Sequence, residues 1–321
     1  MRSLFFKKMG CISAIFFAIA CTTAFAQTES DGIMIPKHYL CVGAMYSQSS
    51  WNNYWEGTFK RDNQNIGTLS TYMYGPMLIY GITGRLNLLA SAPYVNTHAS
   101  AGTLASMHGF QDLTTSVKWM PADVRVGSGN LSFYAIGSAV IPLTNYVADF
   151  LPMSIGLHCK SLMFRAMADY QTGNFFVTGS GVYNLRSNIT IDRNAYYTTT
   201  LIYSNEVAMP NVSVFNFRAG YRTPKVIAEA VLENATTLGG FDIRKNDMPF
   251  PSNKMNATTA GANFKYSLNS GLEFTAGGDY VVAGRNVGQS TILHAGVDYL
   301  FSVKRSHKST ADSQTQDEHK L

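Results

Sequence analysis

The stretch LHAGVDYLFSV, residues 293–303, alternates in character along most of its length. Its odd positions are Leu293, Ala295, Val297, Tyr299, Phe301 and Val303, while the even ones include His294, Gly296, Asp298 and Ser302. Successive side chains of a β-strand point to opposite faces, so this segment has one face suited to lipid and one suited to water. Residues 272–282 repeat the rhythm with reversed parity: Leu272, Phe274, Ala276, Tyr280 and Val282 oppose Glu273, Thr275 and Asp279. Phe215, Phe217, Ala219 and Tyr221 oppose Asn216, Arg218 and Arg222, and Ala228, Ala230 and Leu232 oppose Glu229 and Glu233. Further upstream, Leu113, Thr115, Val117 and Trp119 oppose Asp112, Thr114, Ser116 and Lys118.

A soluble sandwich also alternates, but it turns its apolar face inward and is looped irregularly at both ends. Here the alternating segments reach the roughly 9 to 11 residues that a tilted membrane-spanning strand requires. Strands are expected at 37–48, 67–80, 85–96, 109–120, 130–142, 154–169, 174–186, 208–222, 225–236, 255–267, 271–282 and 290–303. The connections between them alternate in length. Residues 49–66, 97–108, 143–153, 187–207, 237–254 and 283–289 form a long set, and 81–84, 121–129, 171–173, 223–224 and 268–270 a short one. Each short member carries Gly, Pro or Asn, which supply the backbone angles of a tight reversal. Long loops on one rim and short turns on the other mark an outer-membrane barrel. The expected fold is therefore all-β: a transmembrane antiparallel up-and-down β-barrel of about 12 strands over residues 37–304, with both termini at the periplasmic, short-turn rim. Within 154–169, Ile155 and Leu157 share a parity that Leu162, Phe164, Ala166 and Ala168 do not, which predicts a bulge or a later strand start.

The ends of the chain read differently. Arg2, Lys7 and Lys8 form a basic region, Cys11 to Ala20 is a small or apolar run, and Ala24-Phe25-Ala26 is an A-x-A cleavage site. Residues 1–26 thus read as a secretory signal peptide. A lipoprotein box ending at Cys21 is the rival, but Ala18 stands where such boxes favour leucine. Residues 27–36 are irregular and are assigned as a periplasmic N-terminal segment, with insertion into the lumen left open as the alternative. Residues 305–321 are polar and aperiodic and read as a disordered periplasmic tail.

Composition supports a membrane sheet and excludes other classes. Three of the 25 basic residues leave with the leader, so 22 remain against 20 acidic ones, a balance that gives no reason to expect a nucleic-acid partner. Charged residues make up 14% of the chain, against roughly 25% in typical soluble domains, and the mean hydropathy is −0.03. Cys41 and Cys159 are the cysteines left after the leader. They fall on distant strands, beyond the roughly 7 Å Cα separation a disulfide allows, and are expected to be free.

No catalytic constellation stands out. The chain lacks a G-x-S-x-G elbow, an H-E-x-x-H helix motif, a phosphate-binding G-x-x-x-x-G-K-[ST] loop and a C-x-x-C pair. His294 is followed by no serine on its own face until Ser302, and His158 adjoins Cys159 in the least regular segment. His98 and His108 flank one loop without a carboxylate, a poor metal site. No cofactor and no metal are expected, and the chain is not expected to be an enzyme. What remains is the inward face, where Asp112, Lys118, Arg165, Asp169, Arg218, Glu229, Glu233, Lys265, Glu273, Asp279, His294 and Asp298 are the candidate lumen-lining residues. Interior charges either pair across strands, because an unpaired charge at low dielectric is costly, or set the selectivity of a polar pore. Arg218 facing Glu229 is the expected pair. Tyr72, Tyr74, Tyr80, Tyr94, Trp119, Tyr134, Tyr170, Tyr183, Tyr221, Tyr266, Tyr280 and Tyr299 are the candidate aromatic girdle where lipid meets water.

One stretch carries a resemblance. Tyr80-Gly81-Ile82-Thr83-Gly84-Arg85-Leu86-Asn87-Leu88, then Ala92-Pro93-Tyr94-Val95, then Gly109-Phe110-Gln111-Asp112-Leu113 with Lys118-Trp119 resembles the outer-membrane family named for a meta-pathway of phenol degradation. The likeness is sharp over residues 72–120 and diffuse beyond. Gly84 stands where the family often has Asp, and Gln111 where it often has a small residue. The resemblance implies a barrel and uptake of small hydrophobic or aromatic molecules, not phenol in particular. Two readings follow: a passive channel or transporter for small molecules in the outer membrane of a Gram-negative bacterium, in contact with its lipid, or a surface-interaction barrel with a plugged lumen acting through loops such as Trp51–Phe59 and Tyr196–Tyr203. A monomer is expected.

Overall fold

In the computed structural model, which describes residues 28–245 and 247–303, twelve antiparallel strands close into a barrel. They are β1 (Tyr39–Trp51), β2 (Leu69–Thr83), β3 (Leu86–Ser91 and Tyr94–Ala99), β4 (His108–Phe110 and Asp112–Val126), β5 (Gly129–Pro142), β6 (Ser161–Thr172), β7 (Phe175–Arg186), β8 (Val212–Arg222), β9 (Val226–Thr237), β10 (Asn256–Ser267), β11 (Leu272–Arg285) and β12 (Thr291–Ser302). Each pairs with its sequence neighbours, and β1 pairs with β12 on one side and β2 on the other. Closure matters because hydrocarbon offers no hydrogen bonds to an open sheet edge. The expected signal peptide, residues 1–26, and tail, residues 305–321, lie outside the described residues.

Parity sets the two faces as the alternation requires. Leu78, Leu88, Val117, Trp119, Phe164, Phe215, Phe217, Phe274, Leu293 and Val297 are exposed large apolar side chains on one face, and their strand neighbours are buried or half-buried. In a membrane barrel this exposed band meets lipid rather than water. Tyr72, Tyr74, Tyr183 and Tyr280 lie on it toward the long loops, and Tyr80, Trp119, Tyr170, Tyr221, Tyr266 and Tyr299 toward the short turns. Tyr134 is the exception to the expected girdle. It points inward and is 5% exposed, because its ring and hydroxyl are used inside the barrel.

Two local expectations are corrected and one alternative is resolved. Residues 121–129 were expected to be a short connection, yet β4 runs on to Val126, and only Gly127 and Ser128 turn the chain. The ladder slips between Trp119 and Ala122, a bulge that accommodates Pro121, which has no N–H to donate. Gly81, expected within the first reversal, is in β2, with the turn left to Gly84 and Arg85. Of the two alternatives for 154–169, the late start holds: β6 begins at Ser161, and Ile155 and Leu157 pack into loop clusters instead.

The long loops form a cap of their own. Ile189, Ile191, Tyr196, Val207 and Met209 from the β7–β8 loop pack against Ala148 and Cys159 of the β5–β6 loop and Phe250 of the β9–β10 loop. Asn286, at φ 54°, staples three loops with one side chain. Its amide donates to Asp242 Oδ1 at 2.7 Å and to the Lys254 carbonyl at 2.6 Å, and its carbonyl accepts from the backbone N–H groups of Gly57 at 2.7 Å and Ile243 at 3.2 Å. Arg285 grips the same Asp242, and these hydrogen bonds hold the Asp242 carboxyl below its ordinary value.

Candidate functional site

The inner face of the barrel is occupied from both ends. From the turn side, residues 28–36 run into the lumen, which corrects their assignment as a periplasmic segment. The fully buried Lys118 on β4 donates to the carbonyls of Thr28 at 2.8 Å and Asp31 at 2.7 Å and to Asp31 Oδ1 at 3.0 Å. Tyr134 on β5 donates to the Gly32 carbonyl at 2.9 Å, and Arg218 on β8 to Ser30 Oγ at 2.6 Å. Apolar contacts complete the seat: Ile35 packs with Cys41, Ile79, Leu89 and Leu300, Ile33 with Phe176 and Ile227, and Met34 with Tyr134, Ile136 and Met167. The sequence left insertion open because a ten-residue irregular segment has no periodicity to read. Its partners are strand residues far along the chain.

From the loop side, residues 143–160 fold inward. Met153 is fully buried against Ile66 and Leu69, and its carbonyl accepts from Thr97 Oγ1 at 2.6 Å. Tyr146 donates its hydroxyl to Asp112 Oδ1 at 2.6 Å and accepts from the His158 N–H at 3.0 Å. Burial and the Asp112 contact push the Tyr146 phenol up, so the hydroxyl stays a donor.

Beside the N-terminal segment lies a cavity of about 430 Å³, bounded by residues 28–33 and by β1 and β8 to β12. A hydrogen-bonded chain runs along its wall. Arg218 Nη1 donates to Glu229 Oε1 at 2.7 Å, and Asn263 Nδ2 donates to the same oxygen at 2.9 Å. Asn263 Oδ1 then stands 3.0 Å from His294 Nε2, a contact that requires the ring proton on that nitrogen. His294 Nδ1 is 3.6 Å from Asp279 Oδ2. These side chains lie flat because the inward position on a neighbouring strand is glycine. A Cβ at Gly277 would collide with His294 and Asn263, one at Gly261 with Asp279, and one at Gly43 with Asp298. The glycines therefore keep the chamber open by giving the polar side chains somewhere to rest.

All twelve candidate lumen residues sit on the buried parity of their strands. The expected Arg218–Glu229 pair is present. Asp169 takes a bidentate grip from Arg222 at 2.9 and 3.1 Å, and Arg165 donates to Ser180 Oγ at 2.9 Å. Glu233 accepts from Asn216 Nδ2 at 2.9 Å. Glu273 accepts from Ser267 Oγ at 2.9 Å and stands opposite Asp298 in the ladder. Lys265 lies within electrostatic range of Asp31 and Asp298. Lys118 and Asp112 are not chamber residues, since they hold the N-terminal segment and the 143–160 loop. Asn216 and Asn263 escape a search for charges, although they carry the same inward parity.

Cys41 and Cys159 are free, and burial raises the Cys159 thiol, which makes it a poor nucleophile. Among the described residues no group of three or more His, Cys, Asp or Glu is placed to hold a metal.

The barrel is similar to an outer-membrane channel from Pseudomonas putida F1 at a TM-score of 0.68 and 15% identity, covering 86% of this chain and all of that one. It overlaps more loosely with the translocator domain of the autotransporter NalP from Neisseria meningitidis, at a TM-score of 0.45, 12% identity and 85% and 90% coverage. The monoaromatic hydrocarbon channel CymD gives a TM-score of 0.38, 9% identity and 85% and 90% coverage. No curated protein sequence matches the chain significantly. A closed barrel with a lipid-facing band belongs in the outer membrane of a Gram-negative bacterium. The match of residues 66–293 then settles its kinship: the chain belongs to the family described as "Putative MetA-pathway of phenol degradation".

Proposed function

We propose that this barrel is a passive channel for small molecules, hydrophobic or aromatic ones among them, and that solutes pass through the chamber beside residues 28–36. The observation that carries this reading is the chamber itself, whose wall joins a fixed polar chain to the apolar side chains of Ile227, Val231 and Ile292. Such a lining lets an amphiphilic solute exchange its hydration for wall contacts without strong trapping. The N-terminal segment acts as a stopper that sets how often the path is open, and no chemical step is needed. A single chain encloses the whole chamber, so a monomer suffices.

Planar bilayer recordings of the wild type and of a variant lacking residues 28–36 test the proposal. The variant should conduct severalfold better than the wild type. If it stays silent while migrating as a folded, heat-modifiable barrel, the channel reading fails. The second reading, a surface-interaction barrel with a plugged lumen, draws support from the stitched N-terminal segment and from the exposed Phe59 and Tyr203 on the long loops. A silent deletion variant would favour it.

A further inference from the structure

We infer that the chamber is a binding site for the cationic end of a small amphiphilic amine, and that Glu233 and Asp279 set this preference. The inference deepens the channel reading and rests on its chamber. The argument turns on which charges are already committed. Arg222 is gripped by both oxygens of Asp169 and lies 3.8 Å from the centre of the Phe176 ring. Arg218 serves Glu229, Asn216 and Ser30 at once. Lys265 acts on Asp31 and Asp298, and Arg165 is bonded to Ser180 and divided between Glu29 and Glu233. An incoming anion would have to draw one of these cations from a carboxylate it already neutralises.

The carboxylates are placed differently. Glu233 accepts a hydrogen bond from a neutral amide, Asn216 Nδ2, and feels Arg165 without a direct ion pair, while Asp279 stands 3.6 Å from the Nδ1 of His294, beyond hydrogen-bond reach. Asp279 lies over Gly261, on the strand next to the one that carries Glu233, so both acids face the same cavity. An ammonium group entering there gains two charge-assisted acceptors, and the hydrogen-bond donor it displaces is the neutral amide of Asn216. Ile33, Ile227, Val231 and Ile292 leave an apolar wall for the rest of the molecule. A neutral hydrocarbon would fill that wall but strand the acids in a space it dehydrates, which is costly.

Calorimetric titration of the folded, detergent-solubilised protein with 2-phenylethylamine and, separately, with 3-phenylpropanoate tests this, because the two share an aromatic body and differ in the sign of the charged end. The amine should bind about tenfold more tightly than the acid, a difference of one well-placed ion pair, and Glu233→Gln/Asp279→Asn should abolish the preference. Equal binding of the two compounds, binding of neither, or a preference that survives in the double variant would each overturn the proposal. Bilayer reversal potentials in a salt gradient separate it from the channel reading. The wild type, in which residues 28–33 still bound the chamber, should favour potassium over chloride. If current flows without that preference, the amine site fails and the channel stands. If amine binding is intact but no current ever flows, only the channel reading falls.

Discussion

Two halves of the same barrel wall make different interiors from the same alternating pattern. From β2 to β7 the inward positions include large side chains, among them Ile79, Leu89, Lys118, Tyr134, Met167 and Phe176, and the N-terminal segment packs onto them. From β8 through β12 to β1 the inward positions mix polar and aliphatic side chains with glycines such as Gly43, Gly261 and Gly277, and the chamber stays open. Alternation decides only which face is inward. The volume at the inward positions decides whether that face is filled or hollow.

The largest effect should come from loosening the filled half. Lys118→Met removes three hydrogen bonds to residues 28–31 and leaves Asp31 without its ammonium partner. Breaking a buried pair on one side costs about 3–5 kcal/mol, enough to undock the segment, so single-channel conductance should rise toward that of the deletion variant. If the conductance matches wild type, Lys118 does not hold the stopper.

Filling the hollow half should act in the opposite direction. Gly277→Val forces His294 and Asn263 off the wall and into the chamber, at a cost of about 1–3 kcal/mol from overpacking, and should lower both conductance and the temperature at which the barrel loses its heat-modifiable mobility. Gly137→Val is the control, because a Cβ there meets nothing within 4 Å on the lipid face. Equal effects from the two substitutions would erase the distinction between the halves.

Two smaller effects concern the loop-side closure. Tyr146→Phe deletes the bond to Asp112, worth about 1 kcal/mol, and should raise the frequency of brief current transitions without altering the mean open level. Acid should loosen the loop staple at Asp242. Its carboxyl is held below the ordinary value of 3.8, so its contribution is complete above that value and is lost as the pH falls through the lower folded value. The pair is exposed, so the effect is small, and it should appear as faster proteolysis of the long loops at low pH by an acid-active protease, absent in Asp242→Asn.

Much of the barrel was legible because the membrane makes each strand report its own orientation. Glu229, Asp279 and His294 could be placed inward from their neighbours alone, and Arg218 could be matched to Glu229 because a tight turn fixes the register between adjacent strands. Tyr134 was misplaced because an aromatic residue in a strand has two possible reasons to be there, and only its parity, Phe133 lying outside, separates them. Pro121 was misread as a turn because a bulge and a reversal draw on the same residues.

The strand number, the inward parity of most strands and the alternation of long loops with short turns follow from the sequence alone, because lipid on one face and water on the other leave a period-2 record within each segment. Only the tertiary structure decided that residues 28–36 lie inside the barrel, that Lys118 and Asp112 serve as anchors, and that Asn263 joins Glu229 to His294. Those contacts depend on the closure of the sheet, which brings together residues distant in the chain, and no local pattern encodes which of them will meet.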